Sequence, residues 1–376
     1  MTRKKSFTQA GVALVAGCLP IAIGVVLPES AEAATFTGTY VFGDSLSDDG
    51  NLFDLTRGLI PPSPFYAQRF SNGPVWVEYL AQRLNTPLFN FAYGGATSGQ
   101  ANVVNPLIQL FNATVLLPFG QTPVPLAPGV QTEVNGFLAS SPPLDSQALY
   151  ILFAGANDYL GGGIADPTIP VANLTSAITA LAGAGARNIL VPNLPDLGKV
   201  PGTLGTENSQ PLTGLTLAHN AFLAQSLLGL QSTLGPQVNL IPLDLYSLVA
   251  TVTNNPTAFG FTNATDSCVS PPPLQALTSV PPVIPTICSN PDQYVFWDDI
   301  HPTTAAHAQV ANYAFSTLEA EAVPEPSALA GLVVAGGFFG FTVWRRKQQQ
   351  KANSFVATIA NPQVATCLTN VAADRS

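Results

Sequence analysis

Charge is what this sequence has least of. Asp, Glu, Lys and Arg make up 9% of its 376 residues, against a usual share of about 25%. Eight of its 13 cations lie near the ends: Arg3, Lys4, Lys5, Arg345, Arg346, Lys347, Lys351 and Arg375. Only Arg57, Arg69, Arg83, Arg187 and Lys199 are left for the body. Five scattered cations cannot track a phosphate backbone, so nucleic-acid binding is excluded. The formal charge of −9 argues against docking of the body on anionic lipid. With three His and no Cys-x-x-Cys pair, a protein metal site is not expected. Of four Cys, Cys18 and Cys367 fall in the end segments, while Cys268 and Cys288 flank a Pro-rich stretch. That pair is either a disulfide closing a loop, as an exported chain permits, or two separate small apolar side chains. No internal repeat is evident.

The ends read as addresses. Residues 1–34 have a cationic start, an apolar run from Ala10 to Leu27 and the small-x-small site Ala31-Glu32-Ala33, the three parts of a secretory signal peptide. An N-terminal membrane anchor is one alternative. A lipoprotein cut at Cys18 is another, since Val15-Ala16-Gly17-Cys18 is similar to a lipobox. In 322–347, Val323-Pro324-Glu325-Pro326-Ser327 precedes an apolar run from Ala328 to Trp344 and the basic Arg345-Arg346-Lys347. This resembles the PEP-CTERM sorting signal of exopolysaccharide-producing bacteria. Roughly 18 apolar residues just span a bilayer, and the basic cluster would stay cytoplasmic. An ordinary one-span anchor is the alternative. The resemblance implies export to the cell surface, outer envelope or extracellular matrix, with transient anchoring by the C-terminal helix and a sorting or processing machinery as partner. Residues 348–376 are unassigned.

The body, 35–321, alternates two kinds of segment. Thr39–Phe42, Leu149–Phe153, Asn188–Val191 and Val238–Ile241 are near-continuous apolar runs, which suit strands buried on both faces. Pro74–Leu84, Val171–Gly183, Leu215–Leu234 and Thr303–Leu318 read as helices. That rhythm predicts an α/β domain with a single doubly wound parallel sheet flanked by helices. Ligands in such folds lie beyond the carboxyl ends of the strands. Two Pro-rich insertions, Ala101–Pro143 and Phe261–Asp292, break the rhythm. They are expected either to wall or cover an acyl pocket or to decorate the outer sheet edge.

Four short blocks carry the chemistry. Gly43-Asp44-Ser45-Leu46 follows the first strand, where a Ser would otherwise be read as a helix cap. Asn90-Phe91-Ala92-Tyr93-Gly94-Gly95-Ala96-Thr97 contains a Gly pair that lets backbone N–H groups approach a substrate closely. Gly155-Ala156-Asn157-Asp158 follows the Leu149–Phe153 strand. Asp298-Asp299-Ile300-His301 closes the series. Their order and content resemble the GDSL (SGNH) hydrolases over about residues 36–318. The resemblance implies a flavodoxin-like fold, Ser45 as nucleophile, and Asp298 and His301 completing the triad. It also implies an oxyanion hole from the N–H groups of Ser45 and Gly95 and the Asn157 side chain. Gly94 is the alternative to Gly95, and Asp299 the fallback for Asp298. No Gly-x-Ser-x-Gly elbow is present, which separates the chain from ordinary α/β-hydrolases. His219 and His307 are expected to be packing or helix-surface residues, with His307 turned away from the site.

The implied activity is hydrolysis of carboxylic esters (lipase or esterase) through an acyl-enzyme, with no cofactor and no metal. The substrate would be a lipid or acylated small molecule. An acetylated polysaccharide is the alternative within the same chemistry, and a non-catalytic surface or matrix protein the alternative outside it.

Overall fold

The computed structural model describes residues 36–322, apart from 141–142, 279–280 and 282. The segments read as a secretory signal and a sorting signal, and the 348–376 tail, lie outside the described residues. Among the described residues no helix is long and apolar enough to cross a membrane.

Five short strands form the central sheet: β1 (Thr39–Gly43), β2 (Leu88–Asn90), β3 (Leu149–Phe153), β4 (Asn188–Pro192) and β5 (Asn239–Leu243). All neighbours pair in parallel, in the order β2-β1-β3-β4-β5. Alternate residues feed opposite faces, as the two-residue period of a strand requires. Phe42, Tyr150, Leu152, Ile189 and Val191 join one buried cluster, and Val41, Leu149, Ile151, Phe153 and Leu190 the other. Helices Val130–Ser140 and Thr168–Ala184 cover the first face, with Val134, Phe137, Leu174 and Ile178 inward. Trp76–Leu84 and Thr304–Ala322 cover the second. The predicted doubly wound sheet is therefore the one observed. Its order reverses between β1 and β3, which places the ligand crevice at their carboxyl ends.

The Ala101–Pro143 insertion is not one thing. Its second half is the Val130–Ser140 helix, part of the sheet's own cover. Its first half is a helical arm, Asn105–Phe111 continuing through 112–119, with a returning strap. Ile108, Leu116, Val124 and Ala127 of the arm pack with Leu52, Ile60 and Phe70 into a separate cluster. The Phe261–Asp292 insertion carries β6 (Asn263–Ser267), β7 (Val269–Ser270) and β8 (Thr286–Ile287). β6 pairs with β9 (Tyr294–Phe296), and β7 with β8. A disulfide joins Cys268 to Cys288.

Candidate active site

β1 ends at Gly43, and the chain turns at once, with the Ser47 and Asp48 N–H groups donating to the Asp44 carbonyl. Asp44 Oδ1 accepts the Leu46 N–H at 3.0 Å. The turn leaves Ser45 at the strand's carboxyl end. Far along the chain, Asp298 caps its own turn, its Oδ1 accepting the N–H groups of Ile300 and His301 at 2.9 and 2.8 Å. This is the short Asp-led turn that a carboxylate favours. It folds His301 back on Asp298, with Nδ1 2.8 Å from Oδ2. His301 Nε2 lies 2.8 Å from Ser45 Oγ. A carboxylate can only accept, so Nδ1 carries the proton and Nε2 is free to accept from the hydroxyl. Ser45, His301 and Asp298 thus stand in one hydrogen-bonded row, all three buried.

The other sequence-predicted residues flank this row. Gly94 donates its N–H to Asp48 Oδ2 at 2.7 Å. Among the described residues no protein acceptor meets the N–H of Gly95 or of Ser45. Gly95 has φ +77°, and a Cβ there would lie 2.7 Å from Asn102 Oδ1 and 2.9 Å from Val104, so only glycine fits. Asn157 directs its Nδ2 to the Ala96 carbonyl at 3.0 Å, which ties it to the same loop. Asp299 accepts from Ser267 Oγ at 2.8 Å and stays out of the row.

Several residues that sequence reasoning missed hold the row in place. The Tyr66 hydroxyl donates to Asp298 Oδ2 at 2.6 Å, and the Phe70 ring lies 5.0 Å from that of His301. Burial alone would raise the Asp298 carboxyl; the charge of His301 and the bonds from His301 and Tyr66 outweigh it and hold it below its ordinary value. Asp48 accepts four backbone N–H groups, from Gly50, Asn51, Leu52 and Gly94; burial nevertheless pushes it up to about 6. Burial likewise pushes Asp44 up to about 7. Glu133 accepts the N–H of Gly43 at 2.9 Å and of Tyr93 at 3.3 Å, and burial holds it well above the ordinary carboxyl value. It bridges the turn bearing Ser45 to the loop bearing Gly95. One signal for Glu133 was present in the sequence: it is the single charged residue between Arg83 and Asp145. Tyr66 left none.

The expectation that His307 turns away is corrected. It borders the same cleft as His301, held there because its Nδ1 accepts the Trp76 N–H at 3.3 Å. Burial lowers it to about 3, so it is neutral. His219 is a packing residue, bonded to the Tyr159 hydroxyl at 2.8 Å and lowered by burial to about 4.

From Ser45 and His301 a cleft, partly open to solvent, runs between Leu197–Val200, the Leu245–Asn254 helix and the start of the last helix. Leu46, Leu160, Leu248, Val252, Ile300 and Val310 give it apolar walls. The two insertions were expected either to wall or cover such a pocket or to decorate the outer sheet edge. Phe261 contributes from the second, but 101–143 contributes nothing. Among the described residues no group of His, Cys, Asp and Glu could hold a metal ion.

Residues 40–314 match the family described as GDSL-like Lipase/Acylhydrolase. The chain is 29% identical to the "Thermolabile hemolysin" of Vibrio parahaemolyticus over 72% of its own length and 60% of that protein's. It is 28% identical to the "Phosphatidylcholine-sterol acyltransferase" of Aeromonas hydrophila over 81% of its length and 96% of that protein's. Among solved structures, the carbohydrate acetylesterase Est24 of Sinorhizobium meliloti matches with a TM-score of 0.40 and 14% identity, over 76% of this chain and 99% of that one.

Proposed function

Because the chain belongs to the GDSL-like lipase/acylhydrolase family, we propose that it is an exported hydrolase of carboxylic esters with apolar acyl chains, acting through Ser45, His301 and Asp298. The observation that carries this reading is the hydrogen-bonded row from Ser45 to Asp298 opening onto an apolar cleft.

Ser45 Oγ attacks the ester carbonyl while its proton passes to His301 Nε2. Asp298 keeps His301 in the tautomer that can accept it and stabilises the imidazolium. Tyr66 and Phe70 fix the positions of acid and imidazole. The oxyanion is met by the N–H groups of Ser45 and Gly95, which have no other acceptor among the described residues, and by the Asn157 amide. Gly94 is already engaged by Asp48, which favours Gly95. The ester C–O bond then breaks, and the alcohol leaves with the proton from His301. Water, deprotonated by His301, attacks the acyl-enzyme; the acid departs and Ser45 regains its proton. An alcohol in place of water would make the same site a transferase, the activity in the name of the Aeromonas relative. No step requires a metal or organic cofactor.

The cleft is lined by hydrocarbon where a sugar site would need hydrogen-bond partners, which favours acyl lipids over acetylated polysaccharide. Export and C-terminal sorting rest on the sequences of 1–34 and 322–347, and the relative named "Secreted effector protein SseJ" is in keeping with export.

The test is labelling of the full chain with a fluorophosphonate, beside Ser45→Ala and His301→Ala, followed by p-nitrophenyl esters of increasing chain length. Labelling of the wild type alone, with kcat/KM rising beyond the acetyl ester, is expected. Labelling that survives Ser45→Ala, or a preference for acetylated polysaccharide, would overturn the reading. Asn157→Ala should lower kcat by about 10²–10³.

A further inference from the structure

The helical arm at 105–127 carries a surface that the chemistry at Ser45 does not use. Its inner side chains are anchored in the cluster with Phe70, and Phe70 lies against His301. Its outer side is different. Leu110, Val115, Leu117, Phe119 and Leu126 are all exposed, Phe119 to 77%. No Asp, Glu, Lys or Arg occurs between Arg83 and Glu133, and no Lys or Arg between Arg83 and Arg187.

This exposure is held in place by side chains. Asn105 and Asn112, two helical turns apart, each form a reciprocal pair with the returning strap. Asn105 Nδ2 donates to the Ala127 carbonyl at 3.0 Å, and the Ala127 N–H returns to Asn105 Oδ1 at 2.8 Å. Asn112 does the same with Val124, at 2.9 and 2.8 Å. Two amide side chains thereby replace the missing sheet ladder. The arm keeps its apolar residues facing outward because its other face is pinned and buried.

We propose that the outer face of this arm docks the protein on the surface of an uncharged or zwitterionic lipid assembly. The occupant follows from the charge. An anionic membrane would be met by several Lys and Arg, and charged groups of a partner protein by charged counterparts; the arm carries none of its own, and Arg57, which reaches its strap from outside, donates to the Thr122 carbonyl at 3.1 Å. A neutral interface asks only for apolar side chains that enter its outer layer. Beneath the patch, the buried cluster reaches Phe70, whose ring lies 5.0 Å from that of His301, so the docked face and the base are linked through one packed layer. The proposal rests on the acyl-ester reading above, but its test is separable from it.

The test places a reporter at each of two sites in the full-length Ser45→Ala protein. Phe119→Trp puts an indole on the arm. Leu228→Trp puts one on the Ser209–Leu234 helix, where Leu228 is 75% exposed toward the amino ends of the strands. With phosphatidylcholine vesicles containing acyl-brominated lipid, and the parent signal subtracted, the indole at 119 should shift to the blue and be quenched, and that at 228 should not. Equal behaviour at the two positions would overturn the proposal. So would an indole at 119 already shielded without lipid, because a second copy or another segment of the chain would then cover the arm. In the active protein, Leu117→Ser with Phe119→Ser should leave turnover of dissolved p-nitrophenyl acetate unchanged. Hydrolysis of an ester carried in the same vesicles should fall about tenfold, and parallel loss of both rates would also count against docking. A wild type that hydrolyses neither ester, yet is quenched at 119, would sink the esterase reading and leave the docking surface standing.

Discussion

The 2.6 Å bond from Tyr66 to Asp298 is a buried hydrogen bond to a charged group, of a kind that contributes about 1.5–3 kcal/mol. If it positions the acid, Tyr66→Phe should lower kcat about tenfold and leave KM unchanged; steady-state kinetics on a soluble ester decide. Asp44 yields a pH prediction. Its carboxyl is raised from 3.8 to about 7 by burial, so its contribution to stability is full below about pH 4 and is lost as pH rises through about 7. Asp44→Asn keeps the acceptor for Leu46 and removes the charge. Its stability, read by denaturant unfolding, should therefore gain on the wild type as pH rises from 4 to 8, by an amount on the order of 4 kcal/mol at the upper end. At this scale legibility divides sharply. Ser45, Asp298 and His301 stand in compact motifs whose spacing carries the geometry. Tyr66 reaches Asp298 across 232 residues, and no local pattern announces such a contact.

Among the elements, the three longest helices, the Trp76–Leu84 helix and four of five central strands were readable, because apolar periodicity and run length survive without tertiary context. β2 has three residues, none of them fully buried, too short for a period. The Val130–Ser140 helix was hidden in a Pro- and Leu-rich stretch, and its inward Glu133 masks the apolar stripe. The Cys268–Cys288 bridge closes a separation of 20 residues, and the Val269 N–H donates to the Trp297 carbonyl, one residue before Asp298. Replacing both cysteines by Ala should cost about 3 kcal/mol, read as a lower melting temperature with kcat/KM falling as the Asp298 turn loosens. Gly155 precedes the short helix that presents Asn157. Its φ is +124°, and a Cβ would lie 2.8 Å from the His219 ring. Gly155→Ala should destabilise by about 1–3 kcal/mol, seen in denaturant unfolding, and should weaken catalysis through Asn157.

For the molecule as a whole, charge is the sparse quantity, and its distribution is itself a prediction. With a net −9 and no cation from 84 to 186, attachment to phosphatidylcholine vesicles should be insensitive to salt, because no attraction is present to be screened. Vesicles of anionic lipid should bind more weakly at low ionic strength and recover as salt is added. Co-sedimentation across a salt series checks both. The composition that excluded nucleic acid was legible in the sequence; that 101–143 holds an arm with an outward apolar face was not.

Ser45 and His301 lie 256 residues apart, and the ties around them are as long: Ser71 to the Pro302 carbonyl, Asn72 to Thr304, Trp76 to His307. In the proposed mechanism a nascent chain therefore carries its nucleophile through 256 further residues of synthesis before its base is made. Such distant closures are the slow part of folding, and on the proposed mechanism they are what arms the enzyme. In that reading, a hydrolase built this way stays inactive until its distant segments have met.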